Sequence, residues 1–461
     1  MRTTNTLYVG IDVANLSLEV SFLGEDARPV RGGSRFANDP AGHTELCAAA
    51  VAAARLVGSK PRIVFGMEST SNMHKRLEQR LRAEKRRSVE VHVINPRSIK
   101  HFAKVLLSDN KTDAIDSRII ARYLISIKPK PAAELPEGVE ELREATRMRR
   151  HLVEERTLSK NRLHGLMRSH LPGYHSKIGR RLTKGILTVL NAYPTPAEIL
   201  AASDEELAAL PTSSRSRVGA ALAAKVKELA AAAPQPKLGR TTALIIRTTA
   251  ARVLELSAII DEMDRGIEEL LTEVYSDEVL TTIPGIGPVS AASILAEVGD
   301  VNRFSDANAF IGYCGLYPIV WESGEARRRY RMTFKGNAML KMTFLVASAA
   351  ARQYNPAIAA YYERLRRRGK STKAAGGAIA RKLAQIVFAV LVSNKPWSAD
   401  IAARGIERGS RMTKDYTPER ETGADCLIGE MRTPHEAARP YSRSDGSRTS
   451  NVAKEPSRAQ P

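Results

Sequence analysis

Four carboxylates near the start of the chain stand where metal-dependent chemistry would need them. Asp12 ends an apolar run, LYVGIDV at 7–13, and Glu68 follows another, RIVFGM at 62–67. Asp113 and Asp116 lie three apart in KTDAIDSRIIARYL, a spacing that puts both on one face of a helix. Acids from two strand ends and one helix could converge on one rim of a sheet. Hard oxygen ligands of this kind bind Mg²⁺ or Mn²⁺. Two such ions about 3.5–4 Å apart clamp both oxygens of an in-line phosphoryl displacement. Each acid alone has an ordinary role: Asp113 as a helix N-cap, Asp116 as a favourable first-turn charge, Glu68 as a solvated loop residue. Asp12, flanked by Ile11 and Val13, fits such a role less well, and the four in this order point to a metal site.

A second set of residues speaks to phosphate. Ser323 sits between Glu322 and Gly324, and Arg327, Arg328, Arg329 and Arg331 follow at once. Lys335, Gly336 and Asn337 then lead into a helix from about Ala338. A serine among glycines and arginines is how a phosphate-directed nucleophile is held, although its hydroxyl is weak until a base or metal activates it. The arginines would stabilise charge in the transition state. The alternative is a turn serine beside a solvated basic strand, and the local sequence leaves both open. Gly285 and Gly287 in IPGIGP permit a tight turn whose backbone N–H groups approach a phosphate, like a helix–hairpin–helix DNA-binding element. A plain helix–helix turn would look the same. Arg364, Arg366, Arg367, Arg368 and Lys370 read as opening a late helix, ahead of a small-residue turn at Gly376–Gly377. Phosphate contact is the natural use of such a run, with a solvated helix face as the alternative.

The elements that must position these residues fall into blocks. Strands are expected at 7–13, 18–23, 62–67 and 89–94, the first two close enough for a hairpin, with helical composition at 40–57 and 72–85. The first ~125 residues are therefore mixed α/β. From Glu137 to about Ile178 one long amphipathic helix is expected, with Leu142, Met148, Leu152, Leu158, Leu163 and Met167 on its apolar stripe. Shorter helices follow over 196–233, broken at Pro211 and Pro234, and a second long helix over 240–274 could pair antiparallel with the first. Residues 277–396 read as a compact helical unit, and the chain beyond about Gly405 as a disordered tail. The domain expectation is 1–128, 129–275, 276–400 and a basic tail at 401–461.

Composition sets the partner. The 461 residues carry a net charge of +21, with 43% hydrophobic and 5% aromatic residues, enough for packed cores and against wholesale disorder. The excess positive charge makes a polyanion the expected partner. No stretch approaches the roughly 18 to 20 uncharged apolar residues of a membrane helix, and Met1 to Asp12 is too short and polar before its first acid for a signal peptide. Cys47, Cys314 and Cys426 are far apart, forming neither a disulfide framework nor a metal knuckle, so a cytoplasmic setting is expected.

In combination, YVGIDV, FGMEST, KTDAIDSRIIARYL, IPGIGPVSAASILAEVGD, GLYPIVWESG, KGNAMLKM and GKSTKAAGGAIARKL resemble the DEDD-type insertion-sequence transposases. This is the insertion sequence 110 family, which also contains the Piv and MooV DNA invertases. The likeness spans roughly residues 5 to 397. It implies an N-terminal RuvC-like domain of RNase H type whose four acids are Asp12, Glu68, Asp113 and Asp116. It also implies a long helical coiled-coil linker and a helical C-terminal transposase domain whose nucleophile, by motif position, is Ser323. Many relatives carry a second serine where this chain has Glu322. The resemblance further implies recombination of double-stranded DNA by a homo-oligomer, a dimer or tetramer, guided in some members by a structured noncoding RNA. The sequence does not indicate RNA guidance independently. The region 179–235 and the tail after about 405 are longer than the family pattern. Two other readings compete. A RuvC-like structure-specific nuclease would use water and leave Ser323 structural, and a covalent protein–DNA adduct separates it from the transposase. A non-catalytic nucleic-acid-binding protein would show no metal-dependent DNA cleavage.

Overall fold

The computed structural model describes residues 5–69, 73–84, 88–106, 113–129, 136–179, 181–233, 238–276, 278–321 and 329–398. At 113, 114, 320, 321 and 329–331 it describes the backbone alone. The expected tail, 401–461, lies outside these residues.

Three strands open the fold: β1 (Thr6–Val13), β2 (Ser17–Leu23) and β3 (Pro29–Ala37). Then come α1 (Pro40–Val57), β4 (Arg62–Glu68), α2 (Lys75–Arg82), β5 (Val89–Ile94), α3 (Pro96–Val105) and α4 (Asp113–Ile127). The sheet order is β3-β2-β1-β4-β5, with β1 antiparallel to β2, β2 antiparallel to β3, and β4 and β5 parallel to β1. Alternation along β1 divides its two faces. Leu7, Val9, Ile11 and Val13 enter one core with Leu46, Ala50 and Ala53 of α1. Tyr8 enters a second core on the opposite face with Ile119, Ile120 and Leu124 of α4. β3 is a strand that the sequence reading did not include. It is an edge strand with mostly exposed residues, and Arg31, Gly32, Gly33 and Arg35 carry no apolar alternation to announce it.

The next region is all helix: α5 (Val139–His170), α6 (Tyr174–Ile178), α7 (Lys184–Ala192), α8 (Pro196–Ala201), α9 (Asp204–Ala209), α10 (Ala220–Ala231) and α11 (Arg240–Val274). The single helix expected to about Ile178 instead stops at His170. Pro172 removes a donor and Gly173 turns the chain at φ 79°, after which α6 restarts. α5 and α11 run antiparallel along each other. Arg149 Nε donates to Asp264 Oδ1 at 2.6 Å and Arg252 NH2 to Glu155 Oε1 at 2.6 Å, contacts in which one number rises as the other falls. At one end of the pair Leu163, Met167, Ile246, Ala250 and Val253 join a core with α7 and α10. At the other, Leu142, Ile267 and Leu271 join the core of the C-terminal unit.

That unit comprises α12 (Pro288–Val298), α13 (Ala307–Cys314), β6 (Pro318–Trp321), β7 (Arg329–Met332), α14 (Ala338–Tyr354), α15 (Pro356–Arg367) and α16 (Thr372–Ser393). β6 and β7 form an antiparallel pair that the helical expectation did not include. The arginine run also sits differently from expectation. It closes α15, where basic charge meets the negative end of the helix dipole. The turn is at Gly369, φ 80°, and Gly376 and Gly377 lie inside α16. Among the described residues α16 alone has the length and apolarity of a membrane span. It carries Lys373, Arg381 and Lys382, and its buried stripe from Ala375 to Val390 packs into the C-terminal core.

Candidate active site

Two paired glycines decide where α4 meets the sheet. Gly10 of β1 lies opposite Gly66 of β4 in parallel register. A Cβ on Gly10 would stand 2.0 Å from the carbonyl oxygen of Ser117 and 2.5 Å from the amide nitrogen of Ala121. One on Gly66 would stand 2.7 Å from Leu124 Cδ1. The missing side chains thus form a slot for α4, whose backbone rests directly on β1 at Gly10 and whose Leu124 and Ile120 side chains fill the space at Gly66. Ser117 Oγ and Ser21 Oγ, both buried, share a hydrogen bond of 2.8 Å that ties the start of α4 to β2.

Asp12 and Glu68 each follow their glycine by two residues, so both face the α4 side of the sheet. Ile11 pairs with Met67, which puts the two acids level on neighbouring strands. Both are half-buried. On α4, position 113 lies one turn before Ser117 and position 116 one turn before Ile120, and Ser117 and Ile120 meet the sheet at the glycines. Asp116 is half-buried, while the Asp113 side chain is among those not described. Glu19 lies directly across from Asp12 on β2, and Arg35 Nε stands 3.3 Å from its carboxylate. Among the described residues no three His, Cys, Asp or Glu side chains gather closely enough to hold a metal. The donor chemistry of the strand pair, two carboxylates at the same level, still suits a hard divalent cation. A cavity of about 180 Å³ opens one strand further along, lined by His92, Ile94, Asn95, Ser98 and Tyr123, and none of the four acids lines it. Burial holds the His92 imidazole below its ordinary pKa.

Ser323, Glu322, Gly324, Arg327 and Arg328 lie outside the described residues, and for Arg329 and Arg331 only the strand position in β7 is described. What the structure describes is the base of the strand pair that brackets Ser323 in sequence. The Thr333 amide donates to the Tyr317 carbonyl at 3.0 Å, and Lys341 Nζ donates to the Thr333 carbonyl at 2.8 Å. Gly315 and Gly336, at φ 68° and 92°, let the two approaching segments touch, since a Cβ on Gly336 would lie 2.6 Å from Gly315 Cα. Lys335 is exposed. Asn337 caps α14, its Oδ1 accepting from the Leu340 amide at 3.0 Å.

The IPGIGP turn divides its two glycines. Gly285, at φ 102°, presses on α14, where a Cβ would meet the Ala351 backbone at 2.4 Å. Gly287 is exposed at the start of α12, and a Cβ there would meet nothing within 4 Å, so it is the more open of the two for a phosphate. Arg366, Arg367 and Arg368 are all exposed, and Arg366 donates to the Lys370 carbonyl. Lys370 is half-buried.

One polar cluster escaped the sequence. The Glu297 side chain is only 2% exposed, and Arg147 grips it with Nε at 2.5 Å and NH2 at 3.0 Å. Asn337 Nδ2 donates to the same carboxylate at 2.6 Å. Its partners are 150 and 40 residues away, so no local pattern could have revealed them.

Comparison with known proteins follows the same two blocks. Residues 9–172 match a family model described as a transposase, and residues 277–363 match one described as the transposase IS116/IS110/IS902 family. The chain is 28% identical over 298 residues to the 44.8 kDa protein of insertion element IS116 from Streptomyces clavuligerus, covering 64% of this chain and 74% of that one. It is 25% identical over 390 residues to the 42 kDa protein of insertion element IS900 from Mycobacterium paratuberculosis, covering 84% and 95%. It is 30% identical over 148 residues to the pilin gene-inverting protein of Moraxella lacunata, covering 31% and 46%. The acids expected from strand ends and one helix, and the glycine turn and KGN segment of the C-terminal unit, all fall inside the matched stretches: this chain belongs to the IS110-type family of insertion-sequence transposases.

Proposed function

We propose that the protein cuts and rejoins double-stranded DNA as the recombinase of an insertion sequence, with Asp12, Glu68, Asp113 and Asp116 as its metal-binding acids and Ser323 as its nucleophile. The observation that carries this reading is the level placement of Asp12 and Glu68 on parallel strands, on the face covered by the helix that starts at Asp113. The strand order, three antiparallel strands followed by two parallel to β1, supports an N-terminal domain of RuvC-like, RNase H type over 1–128. The ion-paired α5 and α11 support a coiled-coil linker over 129–275, ahead of a transposase domain over 276–400.

Bound Mg²⁺ or Mn²⁺ would neutralise charge on the scissile phosphate. Ser323 Oγ attacks the phosphorus, an Oγ–P bond forms, a deoxyribose oxygen leaves, and the serine proton passes to solvent or to the departing oxygen. The bond energy is thereby kept for strand exchange. Arg327, Arg328, Arg329, Arg331 and Lys335 hold the phosphate oxygens, and Gly287, Gly285, Arg366, Arg367, Arg368 and Lys370 contact the DNA backbone. The protein works in the cytoplasm as a dimer or tetramer, and a structured noncoding RNA is the further partner to seek. The pilin gene-inverting relative supports recombination over simple cleavage.

The test is trapping on a suicide DNA substrate followed by mass mapping of the modified peptide. An adduct on Ser323, lost in Ser323→Ala, and metal-dependent cleavage, lost in a folded Asp12→Ala, are expected. Full cleavage without an adduct would leave a nuclease that uses water. Binding without any cleavage would leave a DNA-binding protein.

A further inference from the structure

The first three turns of α5 touch both of the regions that the proposed reaction needs. On one side Lys75 of α2 reaches Glu144 at 2.7 Å and Glu140 at 3.2 Å, tying the helix to the sheet domain. On the other, three arginines one turn apart seize the C-terminal unit. Arg143 Nε donates to the Ala296 carbonyl at 2.8 Å, Arg147 grips the Glu297 carboxylate, and Arg150 NH1 donates to the Ala338 carbonyl at 3.2 Å. Glu297 is the centre of this attachment. Besides Arg147 and Asn337, its backbone carbonyl accepts from Tyr313 OH at 3.2 Å. Asn337 in turn donates its amide to the Tyr313 carbonyl at 2.7 Å, and four residues separate it from Met332, the last residue of β7.

A carboxylate this deeply buried is costly unless its charge is balanced and its lone pairs are used. Here the bidentate guanidinium balances it, and the contact holds the Arg147 side chain above its ordinary pKa. A hydrophobic pair of the same volume would hold α5 to α12 as firmly. What it would not do is fix Asn337, and with it the foot of the β6–β7 pair, at one distance from the long helix.

We infer that Glu297 is a positioning residue: through Arg147 and Asn337 it sets the foot of the β6–β7 strand pair, which brackets Ser323 in sequence, against the helix that also contacts the sheet domain. The inference rests on the reading of Ser323 as the nucleophile. Glu297 does not touch DNA in this account. It acts on where the strand pair stands.

The variants are Glu297→Gln, which keeps the shape and the acceptor for Asn337 but loses the charge, and Arg147→Lys, which keeps the charge but loses the fork. Arg147 is half-exposed, so Arg147→Lys folds even where Glu297→Gln does not. Two readouts are made in the full chain, below the melting temperature of every variant. The first is hydrogen exchange at the Thr333 and Asn337 amides. The second is the rate, not the amplitude, of adduct formation at saturating DNA. Exchange at both amides should rise at least about tenfold with the α12 interior unchanged, and the adduct rate should fall about ten- to a hundredfold at an unaltered DNA Kd. Arg147→Lys should fall between wild type and Glu297→Gln. Wild-type exchange overturns the inference, and so does faster exchange with a wild-type adduct rate. An adduct on a residue other than Ser323 defeats the functional reading instead, and the amide exchange still decides whether Glu297 holds the strands.

Discussion

Replacing Gly10 with alanine tests the seat of α4 on the sheet. Gly10 does not have a positive φ, so the backbone itself accepts alanine, and a strand gains roughly 0.5–1 kcal/mol from the exchange. The clash opposes this. The new Cβ would lie 2.0 Å from a carbonyl oxygen and 2.5 Å from an amide nitrogen, where ordinary contact begins at 3.4 Å. Both atoms are backbone, so α4 must lift by about an ångström or β1 must bend. Overpacking of this kind costs about 1–3 kcal/mol, leaving a net loss of roughly 0–2.5 kcal/mol after the strand gain. On the proposed function the larger effect is on the acids, because α4 carries Asp113 and Asp116 and the strand carries Asp12. A displacement near 1 Å can cost about a hundredfold in rate. Gly66→Ala is the control. Its Cβ meets Leu124 Cδ1 at 2.7 Å, the end of a side chain that can turn aside, so its cost is about 1 kcal/mol or less. Urea unfolding and metal-dependent DNA cleavage are measured for both. Gly10→Ala cleaving within twofold of wild type, or Gly66→Ala proving the more damaging, would refute the account of the slot.

Three further outcomes are expected. Replacing Arg366, Arg367 and Arg368 with alanine should flatten the log–log salt dependence of DNA binding by about 2 to 3, since each phosphate contact adds about 0.9 to the slope. An unchanged slope returns the run to solvent. Burial pushes the Lys382 ammonium down to about 8, so its charged form strains the native state below that pH and ceases to do so as pH rises to its unfolded value near 10.5. Lys382→Met should therefore stabilise the protein by about 1–3 kcal/mol at pH 7, with the gain shrinking towards pH 10.5, and thermal unfolding of both proteins across that range checks the sign. The Cys314 thiol is fully buried and pushed up to about 12, whereas Cys47 is half-buried, so a thiol reagent at pH 8 should modify Cys47 and leave Cys314 intact until the chain unfolds.

The sequence displayed those elements whose own residues carry the signal. Four strands ran in apolar blocks and were placed within a residue or so, and the 240–274 helix matched α11 at both ends. β3 and the β6–β7 pair carried no such signal, one being an exposed edge and the others four residues each. Asp12 and Glu68 were legible because an acid closing an apolar strand is unusual. Their common level needed the register, and the slot that seats α4 needed two glycines 56 positions apart to be paired. Glu297 was invisible for a similar reason: LAEVGD looks like the end of a helix until Arg147 and Asn337 arrive from elsewhere.

The antiparallel helices α5 and α11 join two hydrophobic cores, and α5 alone is 32 residues long. At 1.5 Å per residue it is a rod of about 48 Å, and a rotation of 5° at its foot carries the far end through about 4 Å. The gripping arginines and Lys75 all act within the first three turns, so they sit at the fulcrum. A small rearrangement there is magnified into a movement of the remote helical lobe larger than one base-pair step of DNA. The arm works equally well in reverse: a ligand that holds the lobe at its tip exerts leverage on the hub at its root.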